Sequence, residues 1–527
     1  MTPATLSISL VSHTNVGKTT LARTLLGRDI GEVRDEAHVT EVAEPHALVE
    51  STAGDRLLLW DTPGFGNSQR LAQRLAQAGN PLGWVMTEVW DRWRDRAFWA
   101  SQRAIRHVLE QADVALYLVN AAEAPEDAGY LAPELQVLGL LGKPVIVLLN
   151  QLGPPGSAAD EALQVQRWQT HMASLQATPG AATVHAVLPL DALARCWVQE
   201  GVLLRAVADA LPAAQQPAMA RLTDAWRQRQ RATWLAAMAV LAERVTRAAL
   251  DTEPAAATGW RAPLQAVKLL GAALGATLGG ADDDRPPDPA MTRLATRLDA
   301  EVQRSTAELI HLHGLRGDAS GEVLAFLARD FALRQPVSEG KAALWGGVVA
   351  GALAGLKADI ATGGLTMGGG LLAGGVLGAL GAAGAARGMN RIRGLSQPLL
   401  SWDDTVMNAL LPSALLAYLA VAHHGRGRGD WQPSTPPPAW GEAVQAVLAG
   451  RQAEVAALWR RRQALLSEGH AMGDPPANAW QADLQALLAD TSAALLARLY
   501  PEATALAGLS IGRSADGGAV DRSGARP

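Results

Sequence analysis

The feature that most constrains this chain is a short loop at residues 12–19, S-H-T-N-V-G-K-T, between a β-favouring apolar run and an alanine- and leucine-rich helical stretch. It fits the pattern G-x-x-x-x-G-K-[ST] at Gly17, Lys18 and Thr19, with Ser12 in place of the first glycine. Loops of this pattern hold polyphosphates, because backbone N–H groups and the following helix N-terminus surround phosphate oxygens. The loop therefore predicts a strand–loop–helix unit with a phosphate site.

A second motif follows at the distance that such a site requires. An apolar run ends in D-T-P-G at residues 61–64, where Asp61 can hold Mg²⁺ and the N–H of Gly64 can contact a γ-phosphate. Thr40 lies between the two motifs, in a position from which a loop can add another Mg²⁺ ligand. The hydroxyl of Thr19 and the charge of Lys18 would complete a site for Mg²⁺ and the β/γ-phosphates.

The distribution of apolar runs predicts two kinds of region. Five short runs alternate with helical stretches up to about residue 211, which predicts an α/β domain with a mostly parallel sheet and flanking helices at 1–212. The strand-like pattern then stops, so we expect an all-α C-terminal region. Its predicted parts are a helical connector (213–280), a linker (281–290), a helical domain (291–422), a linker (423–440), C-terminal helices (441–506) and a disordered tail (507–527).

A glycine-rich apolar segment at 342–386 has glycines at every fourth position, for example Gly347, Gly351 and Gly355. On a helix this spacing makes a smooth stripe along which two backbones can approach closely. The segment is interrupted by Lys357, and we expect a helical hairpin. Either the hairpin enters a membrane conditionally, or it is a helix pair buried within an α-domain.

Net charge and cysteine content indicate which partners and which cellular compartment to expect. The net charge is -5 and the pI about 6.1, which gives no overall basic footprint, so no nucleic acid is expected as a partner. The only cysteine is Cys196, which fits a reducing compartment, and the N-terminus shows no secretory signal. We expect a cytoplasmic protein, with peripheral or inserted placement at the inner membrane through 342–386 as the alternative.

The sequence N-x-G-K-T followed by D-T-P-G resembles the Era/TrmE-like branch of Ras-like GTPases. This resemblance implies a Ras-like P-loop domain that binds GTP with Mg²⁺ and hydrolyses it. Asn15 matches a loop asparagine that helps to bind K⁺ in that branch, although a turn residue is the alternative. Phe65 stands where Ras-type enzymes carry a catalytic glutamine, which implies slow intrinsic hydrolysis.

The base-recognition loop departs from this branch, whose members carry N-K-x-D. Residues 150–153 read N-Q-L-G, so Asn150 is retained while Gln151 replaces the lysine and Gly153 replaces the aspartate. Loss of that carboxylate weakens guanine selection by about 1–3 kcal/mol unless another group replaces it. The next loop, at 189–191, has no clear S-A-x motif. ATP and relaxed base selectivity therefore stay open beside GTP.

The whole layout is similar to a bacterial family in which a GTPase domain is fused to a domain of unknown function, DUF3482. The shared features are D-T-P-G, the N-Q-x-G-P-P form of the base loop at 150–155 and the glycine-rich segment. The resemblance implies that the altered base loop is a family trait.

The predicted site combines these motifs. Residues expected to contact the nucleotide are Ser12, Thr14, Asn15, Val16, Gly17, Lys18, Thr19, Thr20, Asp61, Gly64, Asn150 and Gln151. The expected catalytic residues are Lys18, Thr40 and Gly64. The expected metal ligands are Thr19, Thr40 and Asp61 for Mg²⁺, and Asn15 for K⁺.

Two functions from different classes fit these observations. The first is a GTP/GDP switch whose helical region docks on a membrane or a partner protein through 342–386, with nucleotide-dependent dimerisation as a further expectation. The second is a membrane-associated scaffold whose nucleotide site is degenerate, as Ser12, Phe65 and Gly153 would suggest. A P-loop ATPase is a third alternative.

Overall fold

The computed structural model of the protein describes residues 2–28, 30, 44–66, 68–77, 83, 96–153, 158–193, 196–254, 289–315, 399–425 and 438–509. Thr40, most of the linker at 281–290 and the glycine-rich segment at 342–386 lie outside these ranges. Their predicted structures and roles stay predictions.

One sheet organises the N-terminal part, in the strand order β2-β3-β1-β4-β5-β6. The edge strand β2 runs antiparallel to β3, and all other neighbours are parallel. The strands are β1 (Thr5–Ser12), β2 (Glu44–Glu50), β3 (Arg56–Asp61), β4 (Val114–Asn120), β5 (Val145–Asn150) and β6 (Val184–Pro189). The predicted α/β fold with a mostly parallel sheet is confirmed.

Both faces of the sheet are covered, because successive strand residues point to opposite sides. In β1, Leu6, Ile8 and Leu10 enter one buried cluster, whereas Val11 enters the cluster on the opposite face. The helices of this part are α1 (Lys18–Leu26), α2 (Ser68–Gln77), α3 (Arg96–Gln111), α4 (Leu131–Leu140), α5 (Ala158–Gln176) and α6 (Gln199–Ala210). Because helices cover both faces of the sheet, the central strands are apolar over nearly their whole length.

The rest of the described chain is mainly helical. Its helices are α7 (Gln216–Leu250), α8 (Pro289–Leu312), α9 (Asp404–Ala422), α10 (Pro438–Ala449), α11 (Gln452–Glu468), α12 (Pro475–Leu499) and α13 (Pro501–Leu506). A short antiparallel ribbon of β7 (Thr252–Pro254) and β8 (Leu399–Ser401) adds to the expected helices. No helix in the described ranges has the length and apolarity needed to cross a bilayer.

The two parts share one hydrophobic core. The cluster on the β1 face that contains Leu6 continues into α6, α7 and the C-terminal helices. Trp226 of α7 is 1% exposed, and its Nε1–H donates to Glu200 Oε2 of α6 at 2.7 Å. Arg221 of the same helix forms an ion pair with the buried Asp55 beside β3. The helical region is therefore docked on the nucleotide domain through buried contacts.

The linker predicted at 423–440 needs a correction at both ends. His423 is buried: its Nδ1–H donates to the Leu419 carbonyl at 2.7 Å, and its Nε2 accepts from the hydroxyl of Tyr500 at 2.8 Å. At the other end, α10 already begins at Pro438. The polar, glycine-rich composition around His423 suggested a solvated segment, but the apolar helix before it carries this residue into the core.

Candidate nucleotide-binding site

Three loops meet at the edge of the sheet where the parallel strands end. The phosphate loop (12–19) follows β1, the D-T-P-G motif (61–64) follows β3, and the base loop (150–153) follows β5. The Phe65 N–H donates to the Ser12 carbonyl at 2.9 Å, which fixes the first two loops side by side. In open α/β sheets this edge is where ligands bind.

The phosphate loop turns sharply into α1. Asn15 and Gly17 have left-handed backbone conformations with φ of 63° and 90°. Asparagine tolerates this conformation better than most residues, which accounts for Asn15 as a turn residue. A Cβ on Gly17 would also lie 2.8 Å from Asn150 Nδ2, so the loop has no space for a side chain at this position.

Lys18 is held inside the loop. It is 8% exposed, and its Nζ donates to Ser12 Oγ at 2.9 Å. Burial lowers the pKa of Lys18, while the charges of Asp61 and Glu134 act to raise it. A phosphate bound beside Nζ would supply the anionic partner that a buried ammonium group needs. The hydroxyl of Ser12, in place of the usual glycine, therefore keeps this lysine in position.

Gly64 leaves room next to Lys18. A Cβ at this position would lie 3.0 Å from Lys18 Nζ and 3.2 Å from Thr14 Cα. Because Gly64 has no side chain, the backbone of the D-T-P-G motif can lie directly against the phosphate loop. This approach brings the position predicted to contact a γ-phosphate next to the lysine.

Thr19 and Asp61 form a candidate metal site. The Thr19 hydroxyl donates to Asp61 Oδ2 at 2.6 Å, and Asp61 Oδ1 is buried without a hydrogen-bond partner within the described ranges. Burial raises the pKa of Asp61, against the opposing effects of the Thr19 hydrogen bond and the Lys18 charge. A hydroxyl and an incompletely satisfied carboxylate are oxygen donors of the kind that Mg²⁺ takes, so these residues fit the ion. Thr40 lies outside the described residues.

Asn150 of the base loop joins two segments. Its Nδ2–H donates to the Val16 carbonyl of the phosphate loop at 2.6 Å, and its Oδ1 accepts from the Ala192 N–H at 2.8 Å. Gln151 has a φ of 59°, and its Nε2–H donates to the same Val16 carbonyl at 3.5 Å. Gly153 has a φ of 84°, and among the described residues a Cβ at this position would meet nothing within 4 Å. No described side chain therefore takes the place of the usual aspartate.

The sequence did not identify Asp191, a residue after β6 that accepts a hydrogen bond from the base loop. Asp191 lies in the β6 loop (190–193), and its carboxylate accepts from the Leu152 N–H at 2.8 Å and the Leu193 N–H at 2.7 Å. Residues 189–191 do not form an S-A-x motif, so no role is predicted for Asp191 from the sequence. The available signal was an acidic residue directly after β6, at the same sheet edge as Asn150.

A buried carboxylate behind the phosphate loop was also missed. Glu134 of α4 is fully buried, with Oε1 2.7 Å from His13 Nδ1 and Oε2 accepting from the hydroxyl of Tyr117 at 2.7 Å. Burial raises the pKa of Glu134, while its hydrogen bonds act to lower it. The ring of His13 stacks on Tyr130 at 4.6 Å. The sequence signal for Glu134 was a single acidic residue within the otherwise apolar helix LAPELQVLGL, which indicates a buried carboxylate with polar partners.

Phe65 is only 1% exposed and belongs to the hydrophobic cluster that contains α2 and α3. The next residue, Gly66, donates its N–H to Ser101 Oγ of α3 at 2.9 Å. Phe65, at the position of the usual glutamine, thus packs the loop after β3 into the hydrophobic core. A side chain buried in this way offers no polar group to a water molecule.

Two family models match this chain. The family model described as 50S ribosome-binding GTPase matches residues 7–151, and the model of the domain of unknown function DUF3482 matches residues 177–490. No curated protein matches the chain. Among solved structures, Era in complex with MgGDPNP and nucleotides 1506–1542 of 16S ribosomal RNA is 20% identical over 40% of this chain and 58% of that chain, with a TM-score of 0.29. A variant of Aquifex aeolicus Era bound to GDP·AlF4⁻ is 15% identical over 59% of this chain and 99% of that chain, with a TM-score of 0.28.

The boundary between the two family models lies before the last strand of the sheet, so that β6 falls within the second match. The first match covers most of the sheet and its phosphate loop, and the second covers more than half of the chain. The protein is thus a GTP-binding protein with an N-terminal P-loop GTPase domain, and it belongs to the DUF3482 family.

Proposed function

We propose that this protein is a Mg²⁺-dependent nucleotide switch that hydrolyses GTP slowly and communicates its nucleotide state to the helical region. The observation that carries the proposal is the convergence of Thr19, Asp61 and Lys18. The Thr19 hydroxyl lies 2.6 Å from a carboxylate whose second oxygen is buried without a partner in the described structure. Buried, incompletely satisfied polar groups are costly, so this geometry favours a bound cation and anion.

Each residue has a distinct role in this proposal. Lys18 and the backbone N–H groups of residues 14–19 hold the β- and γ-phosphates, as in other phosphate loops. Thr19, Asp61 and Thr40 hold Mg²⁺, which neutralises charge on the phosphates when bound. Gly64 offers its N–H to the γ-phosphate beside Lys18. Lys18, Thr40 and Gly64 are accordingly the catalytic residues that we propose.

Slow turnover is supported by Phe65. Its buried ring supplies no group that could orient the attacking water, so catalysis relies on phosphate positioning and charge. Asn15 is the K⁺ ligand that we propose, in line with the branch it resembles. Phosphate release measured in K⁺ and in Na⁺ tests both points. Slow turnover that K⁺ accelerates is expected, whereas turnover indifferent to the cation would remove the role given to Asn15.

Substitution of Asp61 by asparagine tests the metal site. Asn is nearly the same size but carries no charge, so the Mg²⁺ concentration needed for half-maximal GTP binding should rise about tenfold. Binding measured in excess chelator should be the same for the wild type and the variant. A loss of affinity that is equal with and without Mg²⁺ would show that Asp61 only shapes the loop.

Base selectivity separates the proposed GTPase from an ATPase. No described side chain occupies the place of the usual aspartate at Gly153, and Gln151 has an amide in place of a lysine, so the site supplies little for strong guanine discrimination. Direct competition of GTP and ATP for the wild-type protein is the test. A preference for GTP supports the proposal, and a preference for ATP would replace it with the P-loop ATPase.

Association with a membrane through 342–386 is a separate part of the proposal, supported by the spacing of its glycines. Flotation with vesicles of anionic and neutral lipids, in the GTP-bound, GDP-bound and nucleotide-free states, is the test. State-dependent flotation is expected. Flotation with no phosphate turnover in any state would favour a scaffold with a degenerate site. Absence of flotation would favour a helix pair within the protein.

A further inference from the structure

The β6 loop (190–193) connects the nucleotide site to the helical region. On the nucleotide side, Ala192 donates its N–H to Asn150 Oδ1 at 2.8 Å, and Asn150 in turn donates to the Val16 carbonyl. On the helical side, Gly425 donates its N–H to the Leu193 carbonyl at 3.0 Å. A continuous series of contacts therefore leads from the end of α9 to the phosphate loop.

The contact at Gly425 is too close for any other residue. A Cβ at this position would lie 2.1 Å from the Ala192 carbonyl oxygen and 2.7 Å from the carbonyl carbon of Leu193. Both atoms are backbone atoms, so they cannot move aside as a flexible side chain would. The helical region thus approaches the β6 loop backbone to backbone, and a methyl group would separate them.

Gly425 is itself held firmly. His423, two residues earlier, donates from Nδ1 to the Leu419 carbonyl and accepts at Nε2 from the hydroxyl of Tyr500. Its ring lies 4.4 Å from that of Trp440. Burial lowers the pKa of His423 to about 4, so the ring is neutral at physiological pH and keeps this single pattern of hydrogen bonds. The C-terminal helices therefore fix the position of Gly425.

We propose that the helical region positions the base-binding side of the nucleotide site through Gly425, which makes Gly425 a positioning residue for guanine nucleotides. The inference rests on the proposed nucleotide binding and adds a route for its regulation. Displacing the β6 loop would disturb Asn150 and the Asp191 contacts to the base loop together. Coupling of two equilibria is reciprocal, so nucleotide binding must in turn tighten the contact of Gly425 with the loop.

The first test compares Gly425→Ala with Gly441→Ala in the full-length protein. Gly441 lies in α10 and a Cβ there would meet no described atom within 4 Å, so it is a matched control in the same region. Dissociation of a fluorescent GDP analogue should be about tenfold faster for Gly425→Ala and unchanged for Gly441→Ala. Equal rates for the wild type and both variants would overturn the inference.

A second variant approaches the β6 loop from inside the nucleotide domain. The Thr24 hydroxyl of α1 donates to the Ala192 carbonyl at 2.7 Å, and Thr24→Val removes this hydrogen bond without touching the helical region. GDP release should be about threefold faster, since one hydrogen bond to the loop is lost. Thr24→Val tests whether the β6 loop positions the nucleotide site even if Gly425→Ala lowers the yield of folded protein. An unchanged rate of GDP release would count against this role of the β6 loop.

Hydrogen exchange of the wild-type protein supplies a readout that a purely structural contact would not change. Saturation with GDP and Mg²⁺ should slow exchange both in the β6 loop and at residues 423–425 of the helical region. Slower exchange confined to the phosphate loop would overturn the inference while leaving the proposed function intact. Failure of the wild type to bind GDP at all would overturn both.

Discussion

At the phosphate end of the site, Lys18, Thr19 and Asp61 lie together across two short motifs, and these three residues can be named from the sequence. At the other end, Asn150 is held by the Ala192 N–H, and the β6 loop is held by Gly425 from the helical region. The phosphate end is local in sequence. The base end is assembled from distant segments.

The difference reflects what each end has to recognise. A polyphosphate is bound by charge and backbone N–H groups, which a single strand–loop–helix unit supplies. A base is selected by a few hydrogen bonds in fixed positions, and those positions depend on the loops that surround them. The GTPase domain therefore contains its phosphate chemistry, while the DUF3482 region contributes to the base end in our proposal.

Removal of the lysine should have the largest effect and be confined to the phosphate end. Lys18→Ala should lower GTP affinity by at least about a hundredfold, because the buried charge that holds the phosphates is lost. Equilibrium binding of a fluorescent GTP analogue measures this effect, with thermal unfolding as the check that the variant is folded. Unchanged affinity would place the nucleotide elsewhere.

Gly17 is the point where the two ends touch. Gly17→Ala should weaken GTP binding by more than about tenfold, because the new methyl group would lie 2.8 Å from Asn150 Nδ2. Gly27→Ala is the matched control: Gly27 also has a positive φ, 62°, but a Cβ there would meet no described atom within 4 Å. The control should lose about 1–2 kcal/mol of stability, the cost of an alanine in the left-handed conformation, and keep its affinity. Equal losses of affinity would show that backbone strain alone is responsible.

Much of the phosphate end could be predicted from the sequence, since G-K-T and D-T-P-G each follow an apolar strand and their spacing is local. The edge strand β2 was not predicted, because only Leu48 and Val49 of its residues are buried and its other positions read as loop. Asp191 and Gly425 were not identified as functional for a different reason. Their importance comes from contacts between segments that are far apart in the chain, and no local pattern encodes such contacts.

A carboxylate added at Gly153 should bring the base end closer to the usual GTPase arrangement. Gly153 has a positive φ of 84°, which aspartate tolerates better than most residues, and no described atom lies within 4 Å of a Cβ there. The carboxylate of Gly153→Asp can then accept from guanine N1–H and N2–H, so discrimination between GTP and ATP should rise about tenfold. Gly153→Asn has nearly the same shape without the charge and serves as the control. Competition binding is the measurement, and a similar change in both variants would contradict a role for the carboxylate.

Asp191→Asn should have the smallest effect and sharpen the contrast between the ends. Its amide has only one accepting oxygen, so one of the two N–H groups of Leu152 and Leu193 would lose its partner. GDP release should be about threefold faster. Affinity for Mg²⁺-pyrophosphate, which engages only the phosphate end, should stay the same. Weaker pyrophosphate binding would show that the two ends are not separable.

The most direct test of the account is titration of the full-length wild-type protein with GTP in the presence of Mg²⁺ and in excess chelator. Convergence of Thr19, Asp61 and Lys18 on one point predicts saturable binding that weakens at least about tenfold when Mg²⁺ is removed. Folded protein that binds no nucleoside triphosphate, or binds it equally well without Mg²⁺, would contradict the account.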